Sequence, residues 1–217
     1  MSLTFLTTIK QTNTITDTER NHIMFVPHVI EESKHGDRAY DPYSRLLKDR
    51  IVFLSGAINQ DSADLICAEL LFLDAQEEKE IKLYIDSPGG SVTAGFAIYD
   101  TMRLIKSKVS TTGIGLCASM GAFLLSSGEP GMRNAAENCE IMIHQPLIAG
   151  GGISGQTSDI SIEAKHMERM KEHLLKLMAD QCDCTYEEMV ELTDRNNWLT
   201  ADEASKIGNK GLIDHVI

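Results

Sequence analysis

Ser119 stands where a β-rich run, Val109-Ser110-Thr111-Thr112, gives way to a helical-looking apolar run through Phe123-Leu124-Leu125. Its neighbours Ala118, Gly121 and Ala122 are small. A strand–helix junction of this kind can hold a hydroxyl toward solvent, and the first N–H groups of the helix stay free to meet an anion. An activated serine needs this combination of exposure, room and donors. A second reading competes. Serine is a preferred helix N-cap, and small residues at such a junction also serve tight packing. The spacing is not the hydrolase elbow Gly-x-Ser-x-Gly, because Cys117 occupies the first glycine position.

A serine nucleophile needs a base, and His144 is the first candidate. It follows Met142-Ile143 and precedes Gln145-Pro146, so a strand should stop there. Active sites collect at strand ends of parallel sheets. A hydrogen-bonded histidine at a strand edge is the structural alternative. The turn Ser87-Pro88-Gly89-Gly90 is a second element, since glycines let backbone approach a ligand closely. Its N–H and the one after Ser119 would make a two-donor oxyanion hole; otherwise it is a tight turn before a helix. The glycine-rich run after His144, Gly150-Gly151-Gly152-Ile153, is the third. It suits an open edge to which an extended peptide adds as a strand, or a plain mobile loop.

The elements that must position these residues are readable from periodicity. Residues 50–55, 81–85, 109–113 and 140–144 read as strands. Residues 61–76 read as a helix with Leu65, Ala68, Leu71 and Phe72 in phase, and 91–106 as another with Ala94, Ile98, Met102 and Ile105 on one side. A third helix is expected over 118–127 and a long one over 158–181, with Leu174, Leu177 and Met178 forming an apolar stripe. The alternation predicts βαβ units and a mainly parallel sheet. Thr185 with Glu188, and Thr200 with Glu203, are capping boxes that start short helices. Residues 26–30 are β-prone, and 31–45 are charged and turn-rich.

Composition bounds the rest. The 217 residues fit one domain over 24–217, preceded by a polar, threonine-rich stretch, 1–23, read as a flexible extension or pro-segment. The charge of -12 argues against nucleic-acid or anionic-membrane surfaces. No apolar run approaches the ~20 residues that span a bilayer. Five scattered cysteines suit a reduced, cytoplasmic chain. Cys182-Asp183-Cys184 lacks a second pair at zinc spacing, so no metal and no cofactor is expected.

Five blocks together resemble one family: Tyr43-Ser44-Arg45-Leu46-Leu47-Lys48-Asp49-Arg50-Ile51, Tyr84-Ile85-Asp86-Ser87-Pro88-Gly89-Gly90, Ile98-Tyr99-Asp100-Thr101-Met102, Ala118-Ser119-Met120-Gly121-Ala122-Phe123-Leu124-Leu125 and Met142-Ile143-His144-Gln145-Pro146-Leu147. They are similar, in order, to ClpP, the proteolytic subunit of the ATP-dependent Clp protease. The resemblance implies a crotonase-like α/β fold with a protruding strand–helix handle, and a serine endopeptidase. It implies two stacked seven-membered rings around a chamber, fed with unfolded protein by a hexameric AAA+ unfoldase. By motif, Ser119 would be the nucleophile, His144 the base, and the N–H groups of Gly90 and Met120 the oxyanion donors. Gly150, Gly151, Gly152 and Ile153 would align substrate. The long helix would join the rings, with Gln156, Asp194 and Arg195 in ring-to-ring contacts.

Three departures stand out against that family. Its members usually carry Asp-Arg-Asp before an aromatic, whereas this chain reads Asp194-Arg195-Asn196-Asn197-Trp198. Asn196 thus takes the orienting-aspartate position. An amide oxygen can accept the histidine Nδ1–H but supplies no charge for the imidazolium. In a serine protease the Asp→Asn exchange costs about 10⁴ in kcat, yet Cys-His-Asn triads operate in cysteine proteases. Two expectations follow: a weak or partner-dependent triad, or a chiefly structural ring subunit in a mixed assembly with a second subunit type. A crotonase-type acyl-CoA enzyme is the third reading; Ser119 and His144 argue against it, since that chemistry relies on carboxylates. Secondly, the segment after His144 is longer than usual. Thirdly, Lys82 replaces an aromatic of the family's docking face.

Overall fold

The computed structural model describes residues 27–31, 36–148 and 152–217. The expectation for residues 1–23 lies outside the described residues. The chain divides into two units at Pro42. The described part of the first holds a two-stranded antiparallel ribbon, β1 (Val29–Glu31) with β2 (Arg38–Tyr40).

The second unit carries the rest: α1 (Pro42–Lys48), β3 (Ile51–Ser55), α2 (Gln60–Gln76), β4 (Ile81–Ser87), α3 (Val92–Leu104), β5 (Val109–Ala118), α4 (Met120–Ser126), β6 (Arg133–Ala135), β7 (Glu140–Ile143), α5 (Thr157–Cys182), α6 (Tyr186–Leu192), β8 (Asn197–Leu199), α7 (Ala201–Ala204) and β9 (His215–Val216). The sheet runs β3-β4-β5-β6-β9, all parallel, with β7 also parallel to β5 and β8 antiparallel to β7. It is therefore a mixed α/β fold around a mainly parallel sheet, as the alternation predicts. Among the described residues no helix is long and apolar enough to cross a membrane.

Two strands share one edge of β5. β6 pairs with Thr111–Gly113, and β7 with Leu116–Ala118. The hand-over falls at Gly115, whose φ of +61° puts a turn into the strand that a side chain would strain. The first half of β5 is buried throughout, as befits a central strand covered on both faces. On one face lie Leu83, Ile85, Ile98 and the wholly buried helix α4, whose Phe123 meets Tyr99 and Phe96 at ring distances of 5.2 and 5.7 Å. The buried hydroxyls at the end of α4 are satisfied: Ser126 Oγ donates to Gln181 Oε1 at 2.6 Å, and the Oγ of Ser127, the residue after the helix, to Phe123 O at 2.6 Å.

Three expectations need correction. In α2 the buried stripe is Ala63, Ile66, Leu70 and Leu73, while Leu65, Ala68, Leu71 and Phe72 face outward. The helix carries two apolar stripes at helical period, and periodicity alone does not say which one meets the sheet. Residues 118–127 are not all helix, because β5 runs on through Ala118 and α4 begins at Met120. Residues 42–45, the end of the stretch read as turn-rich, instead begin α1. The long helix spans 26 residues, about 39 Å at 1.5 Å per residue. It buries Leu174, Leu175, Met178, Ala179 and Cys182 near its end, and its first half is exposed. Both capping boxes form as predicted.

Candidate functional site

Ser119 lies between β5 and α4 with φ +55° and ψ -121°. A non-glycine residue held there costs on the order of 1–3 kcal/mol, which the surroundings must over-determine. Its N–H donates to Met142 O at 2.8 Å, and its carbonyl accepts from Phe123 N at 3.1 Å. The hydroxyl makes no capping bond to the helix. Ser119 thus occupies the N-cap position of α4 without capping it through the side chain, and its Oγ sits 2.8 Å from His144 Nε2.

His144 follows the last residue of β7. Its Nδ1 is 3.1 Å from Asn196 Oδ1. The pair meets because β7 and β8 run antiparallel, with Ile143 opposite Asn197 and Met142 opposite Trp198. His144 and Asn196 are the next pair past the end of that ladder. Asp194, two residues earlier, reaches Gln145 instead: its carbonyl accepts from Gln145 Nε2 at 2.9 Å. A groove of about 570 Å³ opens here, lined by His144, Gln145, Pro146, Leu147, Asp194, Arg195 and Asn196.

The Ser87–Gly90 turn sits against Ser119. A Cβ added at Gly89 would stand 2.7 Å from Ser119 Cβ and 3.0 Å from Met120 N, and one added at Gly121 would stand 2.8 Å from Ser87 O. Only hydrogen at these two positions allows so close an approach. Gly90 is held by a bridge to Ile58: Ile58 N donates to Gly89 O at 2.9 Å and Ser91 N to Ile58 O at 2.8 Å. Among the described residues, the N–H groups of Gly90 and Met120 have no acceptor.

The remaining residues singled out in the sequence lie apart from this cluster or outside the description. Gly150 and Gly151 lie outside the described residues. Gly152 and Ile153 are irregular backbone in the single chain rather than strand. Gln156 is the residue before α5, exposed and without a side-chain capping bond. Asp194 and Arg195 are exposed, their charged groups 3.9 Å apart. Among the described residues no three His, Cys, Asp or Glu side chains are grouped to hold a metal ion. The sequence reading missed Gln145, although its place directly after His144 was a signal. It also missed Thr193, whose carbonyl accepts from Gln145 N at 2.7 Å. A family model described as Clp protease matches residues 34–217.

Proposed function

Because the chain belongs to the Clp protease family, with that family's crotonase-like α/β fold, we propose that it is a serine endopeptidase subunit whose triad is Ser119, His144 and Asn196. The observation that carries this reading is the two-link chain itself, 2.8 Å from hydroxyl to imidazole and 3.1 Å from imidazole to amide. Both fall within the ~2.6–3.2 Å reach of working proton transfer.

In this mechanism the Asn196 oxygen accepts the Nδ1–H of His144 and leaves Nε2 as the acceptor. As Ser119 Oγ attacks a peptide carbonyl, its proton passes to Nε2. The tetrahedral oxyanion is met by the N–H groups of Gly90 and Met120, each worth about 10²–10³ in rate in comparable sites. His144 then returns the proton to the leaving amine, and water repeats the cycle on the acyl-enzyme. The run Gly150-Gly151-Gly152-Ile153 aligns the substrate strand.

The subunit works in the cytoplasm in two stacked heptameric rings, fed by a hexameric AAA+ unfoldase. Gln156, Asp194 and Arg195 contribute to contacts between rings. Exposed apolar residues on α2, Leu65, Leu71 and Phe72, favour an assembled form, since a lone soluble chain rarely leaves such a face uncovered. A second reading is favoured by Asn196: the subunit is the weak partner in a mixed ring with an aspartate-bearing subunit. A phosphonylating reagent tests both. Labelling of Ser119 in the isolated protein supports an independent peptidase. Labelling only after a second subunit type is added supports the mixed ring. No labelling in any assembled form overturns the peptidase reading.

A further inference from the structure

We infer that Gln145 and Lys171 act together as positioning residues for the His144–Asn196 contact, tying α5 to the triad; the inference rests on the peptidase reading above. The β7–β8 ladder has only three residue pairs and ends at Ile143 and Asn197. Asp194, Arg195 and Asn196 are exposed. A short ladder end on exposed backbone frays readily, so the ladder alone is a poor clamp for the next pair, His144 with Asn196.

Gln145 supplies the missing clamp. Its N–H donates to Thr193 O at 2.7 Å. Its Nε2 donates to Asp194 O at 2.9 Å and to Asp194 Oδ1 at 3.3 Å. Its Oε1 accepts from Lys171 Nζ at 2.6 Å. Thr193 is fully buried and fixed in turn, with its Oγ1 donating to Met189 O at 2.7 Å. The segment leading to Asn196 is thus held by Gln145 on one side and by α6 on the other.

The residue types matter. An amide accepts from the lysine and donates to the Asp194 carbonyl at the same time. A carboxylate of the same shape would lose the donor and face the Asp194 carboxylate. The ammonium fixes which end of the amide points where, and a charged donor at one end strengthens the amide as a donor at the other. Lys171 is half-buried, where α5 passes from its exposed half to the turns that bury Leu174 and Leu175. Neither residue touches the reacting atoms.

The test is steady-state peptide cleavage and phosphonylation by the full-length assembled protein, alongside Gln145→Ala, Gln145→Glu, Lys171→Met, Lys171→Arg and the double variant Gln145→Ala/Lys171→Met. Sizing must show the same assembly for each. The expected loss is in kcat, about tenfold for Gln145→Ala, Gln145→Glu and Lys171→Met, below the ~10²-fold that a 1 Å misplacement can cost. KM should stay within about twofold, Lys171→Arg should restore most of the rate, and the double variant should be no worse than Gln145→Ala, since the pair acts as one unit. A reactive wild type with unaffected variants, or with losses that multiply independently, overturns this inference alone. A wild type inert to the reagent in every assembled form takes down both this inference and the peptidase reading.

Discussion

Asn196 offers His144 an amide, at 3.1 Å from Nδ1, where a carboxylate would offer only acceptors. The difference is one of tautomers. With Oδ1 facing the ring, Nδ1 carries the hydrogen and Nε2 accepts from Ser119. With the amide turned, its NH₂ donates to Nδ1, and Nε2–H then points at the hydroxyl, which cannot be deprotonated by it. A carboxylate permits only the first state and also stabilises the imidazolium. Asn196→Asp should therefore raise kcat for a short peptide at least about tenfold, a fraction of the ~10⁴ separating the two side chains in a working serine protease. Turnover of both forms at neutral pH, in the same assembly, checks this; equal rates would show that Asn196 does not limit the reaction.

Gly89 packs its backbone on Ser119, with φ +89° and no room for a Cβ beside Ala118 O and Ser119 Cβ, each 2.7 Å away. Gly89→Ala should displace the turn from Met120 N and cost about 10² or more in kcat, the scale of one lost oxyanion donor. Peptide turnover measured beside a thermal melt separates this from unfolding. Full activity in the variant would remove the turn from the catalytic apparatus.

Arg133 is buried on β6 and clamps the chain end. Its guanidinium donates to Asp214 Oδ2 at 2.9 Å and Oδ1 at 2.6 Å, and to the carbonyls of Gly211 and Lys210 at 3.0 and 2.9 Å. Burial pushes the Asp214 carboxyl up, but the Arg133 bonds and the N–H of Gly131 together outweigh it and hold the group below its ordinary range. A lowered folded-state pKa gives stability that is present above the unfolded value, near 4, and lost as pH falls through the folded value. Asp214→Asn should cost about 3 kcal/mol at pH 7, because it strands a buried charge. It should also flatten the fall of Tm below pH 4. Melts across pH 2–7 for both forms read this directly.

Leu71 and Phe72 project from α2 away from its packed stripe. Replacing both with glutamate should leave the far-ultraviolet spectrum unchanged, since neither side chain is in the core. The same change should shift the solution mass to smaller species, measured by size-exclusion with light scattering. An unchanged mass would place this face outside the subunit interfaces.

Much of the site was legible before any fold was known. Ser119 is marked by small neighbours at a strand–helix junction, and His144 by a strand that must stop at Gln145-Pro146. Thr185 and Thr200 announce α6 and α7 through reciprocal caps, each local to four residues. Local chemistry sets such features, because the partners are a few bonds apart. Other features depend on distant partners. That Asn196 rather than Asp194 meets His144 follows from the β7–β8 register, set between segments 52 residues apart. The family pattern had pointed to Asn196, but the bond from Lys171 to Gln145, the clamp of Arg133 on Asp214 and the choice of stripe on α2 were out of reach. A sequence fixes which side chains share a face or a turn, through the 3.6- and 2-residue periods. Which face meets which neighbour, and in what register, is settled by packing the whole sheet and its helices at once.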